Sequence, residues 1–136
     1  MKKNSDEILD KKIKKNLNKI LKILKKEKKF KKFFLKYNPP LVFVANSIFM
    51  RKLKKHFFGL NKEADVLAFN WPKDFIQGKN KPPLGEIYLN KKIIKKEEKL
   101  KHLLTHAVLH LLGFNHFKKN DIIKMEKKEQ EILGRL

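Results

Sequence analysis

Four of the five histidines in this chain of 136 residues fall between positions 102 and 116, and their spacing predicts a metal site. His106 and His110 are four residues apart in a segment of helical periodicity, so their imidazoles project from one face, one turn apart. His116 lies too far along for a continuing helix to point it the same way. Gly113 stands where a left-handed residue ends a helix, so we expect the chain to reverse there and bring His116 towards the other two.

His102 competes for a ligand role because it too lies four residues from His106. His102 and His110, however, are eight residues apart, which is about 12 Å along a helix axis. Both cannot reach one ion whose bonds to nitrogen are about 2.0–2.1 Å long. We therefore expect the metal ligands to be His106, His110 and His116, and His102 to be exposed or to support a ligand.

Three neutral imidazoles leave a fourth position open on Zn²⁺, which is typical of catalytic rather than structural zinc sites. The pKa of a water bound there falls to about 7, and the ion polarises a carbonyl or phosphoryl oxygen, so the pattern indicates hydrolysis. We expect one zinc per chain, although Mn²⁺, Ni²⁺ and Co²⁺ stay open because nitrogen ligands select poorly among these ions. The chain has no Cys, which excludes thiolate sites and disulfides.

The choice of bond follows from one missing carboxylate and from the charge of the chain. The spacing matches the metzincin peptidase pattern H-E-x-x-H-x-x-G-x-x-H, but Ala107 stands where a peptidase has its general-base Glu, which disfavours a metallopeptidase-like hydrolase. The 35 basic residues against 14 acidic ones give a formal charge of +21, which favours a polyanionic partner. Metal and positive charge together favour a nuclease, since both stabilise the leaving alkoxide of a phosphodiester.

The elements that must position these histidines can be read from periodicity and chain breakers. Apolar residues at helical spacing predict helices over 6–36, 49–58, 95–112 and 121–133, and short apolar runs predict strands over 41–45, 64–69 and 85–90. This order predicts an α+β fold in which about four to five helices pack on a small mixed β-sheet. We expect one domain over residues 1–136, with residues 1–10 as a candidate disordered segment.

The location of the protein is suggested by the absence of long apolar runs. Lys interrupts every run in the first half of the chain, so no segment is long enough to span a membrane. The first ten residues lack the apolar centre of a secretory signal. We therefore expect a cytoplasmic protein without membrane contact.

The histidine segment resembles a known family. Residues 106–116 read HAVLHLLGFNH and are similar to H-G-x-L-H-L-x-G-[YF]-D-H of the YbeY endoribonucleases. ADVLAF at 64–69 and LGEI at 84–87 resemble the family's T-D-V-L-S-F and L-G-D-I. The resemblance implies a metal-dependent, single-strand-specific endoribonuclease of bacterial type. It further implies maturation of the 3′ end of small-subunit (16S-type) rRNA and ribosome quality control, with RNA and the small ribosomal subunit rather than DNA as partners.

The chain departs from the family pattern at three positions. Ala107 replaces Gly, Asn115 replaces Asp beside the third histidine, and Phe58 replaces an Arg that in the family is thought to engage RNA phosphate. A non-catalytic RNA-binding ribosome-assembly factor is therefore the alternative function. The candidate catalytic residues are Arg51, Asp65 and Asn115.

Two further features have alternative interpretations. Asp65 and Glu86 occupy carboxylate positions of the family and either orient a ligand or water, or serve as caps and ion-pair partners. Trp71 with Phe69 either stacks on a base or packs in the core.

Overall fold

The computed structural model describes residues 5–71 and 80–136, and it has an α+β architecture that confirms the predicted fold class. Within these residues the helices and strands follow one another in this order: α1 Ser5–Lys25, α2 Lys28–Lys36, β1 Leu41–Ala45, α3 Ser47–Phe58, β2 Val66–Asn70, β3 Gly85–Asn90, α4 Glu97–Leu111 and α5 Lys119–Leu133. The candidate disordered segment lies partly at residues 1–4, outside the described residues, while residues 5–10 belong to α1. No described helix is both long and apolar enough to cross a bilayer.

The sheet is small and mixed, as predicted. Its strand order is β1-β3-β2, with β1 parallel and β2 antiparallel to the central strand β3. Alternation along β3 separates two faces: Ile87 and Leu89 are fully buried in the main core, whereas Glu86 and Tyr88 lie on the opposite face. Helix α3 packs on this second face, where Met50 is fully buried against Leu67.

The N-terminal helical segment is two helices rather than the one continuous helix expected over 6–36. Residues 25–29 read KKEKK and contain no apolar side chain, so no burial holds a straight helix against the core at this point. The chain turns at Lys26 and Glu27 and restarts as α2, which places Phe30 in the core with 3% of its surface exposed. The anchoring of Phe30 explains the break.

Helix α4 runs through the centre of the main hydrophobic core. Its apolar stripe packs with side chains from α1, β3 and α5, and the fully buried members from these four elements are Ile20, Leu24, Ile87, Leu89, Leu100, Leu104, Val108, Leu109, Met125 and Ile132. Burying one such side chain contributes about 1.5–3 kcal/mol to folding. Because so many side chains hold α4, the helix is a rigid support for the histidines on its remaining face.

A polar network fixes the chain just before β2. Asn90 donates to Glu63 at 2.9 Å and Lys92 donates to the other carboxylate oxygen at 3.1 Å. Hydrogen bonds from Ser47, Asn90 and Lys92 lower the pKa of Glu63 to about 2. The network ties the start of α3 and the end of β3 to the segment that enters β2.

Candidate metal centre

His106 and His110 lie one turn apart on the half-buried face of α4, as their spacing predicts. Their Nε2 atoms are 3.0 Å apart. Two nitrogens bound to one tetrahedral zinc at about 2.0–2.1 Å would be separated by about 3.3 Å. The two rings thus already stand within a few tenths of an ångström of the spacing that a shared ion requires.

The chain reverses immediately after α4 in a Schellman motif. The N–H of Gly113 donates to the carbonyl of His110 at 3.0 Å, and the N–H of Phe114 donates to that of Leu109, also at 3.0 Å. Gly113 has a φ of +102°, a backbone conformation that L-residues with a Cβ rarely adopt. The Phe114 ring then packs 6.1 Å from the Phe30 ring and anchors the reversed chain on the core.

The reversal brings His116 to the other two histidines. Its ring centroid is 5.7 Å from that of His106 and 4.8 Å from that of His110. One nitrogen from each of the three rings lies within 4.8 Å of the others. The imidazole of His116 is exposed. A rotation of this side chain that moves its nitrogen by about 1.5 Å would bring the three nitrogens to tetrahedral spacing. The three residues fit a metal ion with nitrogen ligands.

The electrostatics of the cluster keep a metal-binding lone pair available. Burial of His110, together with the neighbouring His106 and His116, lowers the pKa of its imidazole to about 4. Its ring is therefore neutral at pH 7. A neutral imidazole is the form that binds a metal, because protonation removes the lone pair that forms the bond.

Glu129 of α5 supports the site and was missed by the sequence analysis. Its Oε1 accepts a hydrogen bond from Nδ1 of His106 at 2.7 Å, and its Oε2 accepts one from Nε2 of His102 at 3.0 Å. With Nδ1 of His106 donating to the carboxylate, Nε2 carries the free lone pair that faces His110. His102 thus supports the candidate metal centre indirectly: it hydrogen-bonds to Glu129, which in turn hydrogen-bonds to the candidate ligand His106.

A sequence signal for Glu129 does exist. Met125, Glu129 and Ile132 are spaced by four and three residues along α5, which is the spacing of a single helix face. All three are buried, and Glu129 keeps only 6% of its surface exposed. A carboxylate on the apolar face of a helix needs a partner to offset its loss of water, and here the partners are the two histidines.

The other candidate residues lie at different places around the fold. Arg51 is exposed on α3, and Asp65 lies just before β2, with its carboxylate 3.9 Å from Nζ of Lys99. Both Asp65 and Lys99 are exposed, so this is a surface ion pair of small energetic weight. Asn115 lies in the turn between Gly113 and the third histidine, where its side chain accepts the N–H of Phe117 at 3.2 Å.

Glu86 lies on β3, where it accepts a hydrogen bond from the Tyr88 hydroxyl at 2.8 Å. A cavity of about 720 Å³ opens beside the histidines, between α4 and α5, with His102, His106, His116, Lys127 and Glu129 among its lining residues. Of the described residues, those that line this cavity do not include Arg51, Asp65 or Glu86. The carboxylate that hydrogen-bonds to the candidate ligand His106 is therefore Glu129, rather than Asp65 or Glu86.

The fold and the cluster define an α+β protein with a three-histidine candidate metal centre beside an open cavity. The family model described as Endoribonuclease YbeY matches residues 1–136. Relatives named Endoribonuclease YbeY include one from Neorickettsia sennetsu, 34% identical over 70% of this chain and 71% of its own length, and one from Pelagibacter ubique, 37% identical over 67% and 65%. The chain belongs to the YbeY family.

A solved structure agrees on the fold alone. The solution structure of TM1509 from Thermotoga maritima matches with a TM-score of 0.51 at 20% identity, and covers 98% of this chain and 84% of that one. This agreement extends over nearly the whole chain.

Proposed function

We propose that this protein is a zinc-dependent endoribonuclease that cleaves single-stranded RNA in the cytoplasm and matures the 3′ end of the small-subunit (16S-type) rRNA. Ribosome quality control at the small subunit belongs to the same proposal. The observation that carries it is the convergence of His106, His110 and His116 where the chain reverses at Gly113. Membership of an endoribonuclease family supports RNA as the substrate.

The three imidazoles would hold one zinc ion per chain through nitrogen. When bound, the ion supplies Lewis-acid polarisation of a phosphoryl oxygen and lowers the pKa of a water at its open position. Glu129 holds the proton on Nδ1 of His106 and so keeps Nε2 free for the ion. The cavity of about 720 Å³ beside the site gives room for the substrate, and Lys127 at its lining offers a positive charge to phosphate.

The three candidate catalytic residues have different roles in this proposal. Asn115 directly precedes His116 in the chain, and we assign its amide the task of orienting a substrate group or water beside that histidine. Arg51 lies on α3 with an exposed guanidinium, which suits a phosphate contact away from the reacting bond. Asp65 pairs with Lys99 and contributes through the surface charge alone.

Two alternatives make different predictions. Phe58 in place of Arg, and Asn115 in place of Asp, favour a non-catalytic RNA-binding assembly factor. A metallopeptidase-like hydrolase is opposed by Ala107, which packs in the core with 1% of its surface exposed and provides no carboxylate to act as a general base. An assay of casein cleavage against RNA cleavage separates this last alternative from the proposal.

The experiment compares the native protein with His110→Ala and, as a matched control, His56→Ala. His56 is the histidine outside the 102–116 segment and lies exposed on α3. Zinc content and cleavage are measured side by side on a single-stranded precursor of the small-subunit rRNA 3′ end and on a duplex of the same sequence. The proposal expects His110→Ala to lose both zinc and cleavage, and His56→Ala to keep both. Cleavage by His110→Ala at the native rate, or no cleavage by the zinc-loaded native protein, would refute it.

A further inference from the structure

A series of aromatic rings crosses the face of the sheet that α3 covers in part. Phe43 of β1 and Tyr88 of β3 are register partners and stack with centroids 5.1 Å apart. Phe69 of β2 lies 6.0 Å beyond Tyr88, and it is also in ring contact with Phe57 and Phe58 at the end of α3, at 4.7 and 6.1 Å. We call these five residues the aromatic track.

The aromatic track is open to solvent to an unusual degree for so many rings in contact. Phe57 is 56% exposed, Phe58 is 50% exposed and Phe43 is 41% exposed. An isolated exposed ring needs no explanation, but a contiguous apolar surface of this kind marks a binding site. Packing in the core therefore does not account for these side chains.

One end of the aromatic track forms a cavity with polar groups at its rim. The cavity has a volume of about 510 Å³, which is within the range of about 300–1,000 Å³ found for small-molecule sites. Phe57, Phe69, Trp71 and Tyr88 supply aromatic walls. Glu86 adds a carboxylate, one oxygen of which accepts the Tyr88 hydroxyl and the other of which stays available to a ligand N–H.

The charge around the aromatic track fits a nucleic acid strand. Helix α3 carries the cations Arg51, Lys52, Lys54 and Lys55 and no acidic residue. The ammonium of Lys54 lies 4.8 Å over the ring of Phe58, so one of these charges sits directly on the track. Rings that stack bases, flanked by cations that contact phosphates, are the combination by which proteins hold single strands.

The aromatic track is also joined to the candidate metal centre. Asn70 lines the cavity, and its side-chain amide donates to the backbone carbonyl of Leu111 at 2.9 Å. Leu111 directly follows His110 at the carboxyl end of α4. A strand that leaves the cavity over the edge strand β2 therefore reaches the carboxyl end of α4, where the candidate ligand His110 lies.

We infer that the aromatic track and its cavity bind unpaired bases of an RNA strand by stacking, on the same strand as the bond to be cut. The inference rests on the proposed function, since it supplies a subsite for the same substrate. Glu86 accepts an imino or amino N–H of the Watson–Crick edge, which is free only in an unpaired base. The same contacts thus give a physical basis for preferring single strands.

The test measures binding of an RNA octamer and of an abasic octamer with the same ribose-phosphate backbone. Divalent ions are removed with EDTA so that no cleavage interferes. Trp71 is the one Trp of the chain and lines the cavity, so its fluorescence reports a base stacked there. We expect the native protein to bind RNA at least tenfold more tightly than the abasic octamer, with Trp71 fluorescence changed by RNA alone.

The informative variant is Phe57→Leu with Phe58→Leu, which keeps apolar side chains but removes two stacking faces. It should lose most of the tenfold preference while it keeps the salt-dependent binding that both octamers share. Leu35→Ala, which removes a side chain 69% exposed on α2, is the control and should keep the native preference. Thermal unfolding of each variant verifies the fold.

Three results would overturn the inference. The first is equal binding of both octamers by the native protein, and the second is a double variant that keeps the full preference for RNA. The third is self-association through the aromatic track, seen as a dimer of the native protein that the double variant does not form. If zinc-loaded native protein still cleaves RNA in any of these cases, the base-stacking inference alone is wrong. If it does not cleave RNA, the proposed function is wrong as well.

Discussion

Replacing Glu129 with Gln tests how the candidate metal centre is held together. The carboxylate accepts two imidazole N–H groups, from His106 at 2.7 Å and from His102 at 3.0 Å, and its side chain is only 7% exposed. Gln has one acceptor oxygen, and its amide nitrogen can only donate. One of the two imidazoles must therefore give up its bond or turn a lone pair towards the amide.

Both outcomes weaken metal binding. If His106 accepts from the Gln amide, its Nε2 carries the proton and no longer binds a metal. If His106 keeps its bond to the amide oxygen, a hydrogen bond to a charged group, which contributes about 1.5–3 kcal/mol, becomes a neutral one that contributes about 0.5–1.5 kcal/mol. That difference of about 1–1.5 kcal/mol corresponds to about tenfold, and changes in the support of metal ligands cost about 10–100-fold. We expect Glu129→Gln to reduce zinc affinity by about 10–100-fold.

The assay is competition for zinc with a chromophoric chelator, combined with ¹⁵N NMR of the histidine side chains to identify the tautomer of His106. Glu126→Gln is the matched control, because Glu126 is exposed on the same helix and lines the same cavity, so the charge change is equal. Equal zinc affinities of Glu129→Gln and Glu126→Gln would refute the reasoning, since the effect would then be one of overall charge.

Three other predictions concern the backbone and acid stability. Gly113→Ala should cost about 1–3 kcal/mol because of its positive φ and should also weaken zinc binding, whereas Gly59→Ala, at a φ of +69° with equally open space, should lower the melting temperature alone. Gly85→Ala should destabilise far more than Gly134→Ala in urea unfolding, because its Cβ would lie 2.3 Å from a backbone oxygen of β2. The pKa of Glu63 is lowered from 4.5 to about 2, so the stability that this carboxylate contributes is present above pH 4.5 and is lost as the pH falls towards 2. The free energy of unfolding of Glu63→Gln should therefore depend less on pH over that interval. An unchanged acid transition would contradict this.

Much of the fold was predictable because local patterns and tertiary packing agree. The LVFVA run gave β1 with its observed limits, and GEIYLN did the same for β3. The apolar stripe of α4 and the glycine that ends it predicted both the helix and the reversal at Gly113, since spacing and turn chemistry are local properties. The limits of α5 were less accurate: the helix begins at Lys119 rather than at residue 121.

The two features that the sequence did not predict, the break between α1 and α2 and the role of Glu129, share one physical cause. The break between α1 and α2 depends on where Phe30 meets the core, and Glu129 depends on where α5 lies against α4; both are contacts between residues far apart in the chain. KKEKK contains no Pro or Gly to end a helix, and apolar residues at helical spacing flank it on both sides, so the pattern alone favoured one helix. A carboxylate on a helix is usually solvated, and although its spacing with Met125 and Ile132 indicates that Glu129 is buried, that spacing does not identify His102 and His106 as its partners.

The position of the candidate metal centre relative to the core distinguishes a catalytic site from a structural one. The main core consists of apolar side chains from α1, α2, β3, α4 and α5, and it includes none of the three histidines. Among the described residues, the ligand cluster instead lies at the rim of that core, where α4 ends and the chain reverses in hydrogen bonds that need no ion. A structural zinc site contributes folding energy outright and is closed by four protein ligands. Here the turn after α4 brings three imidazoles together and leaves one side of the cluster facing a cavity of about 720 Å³, an open arrangement that fits a catalytic ion better than a structural one.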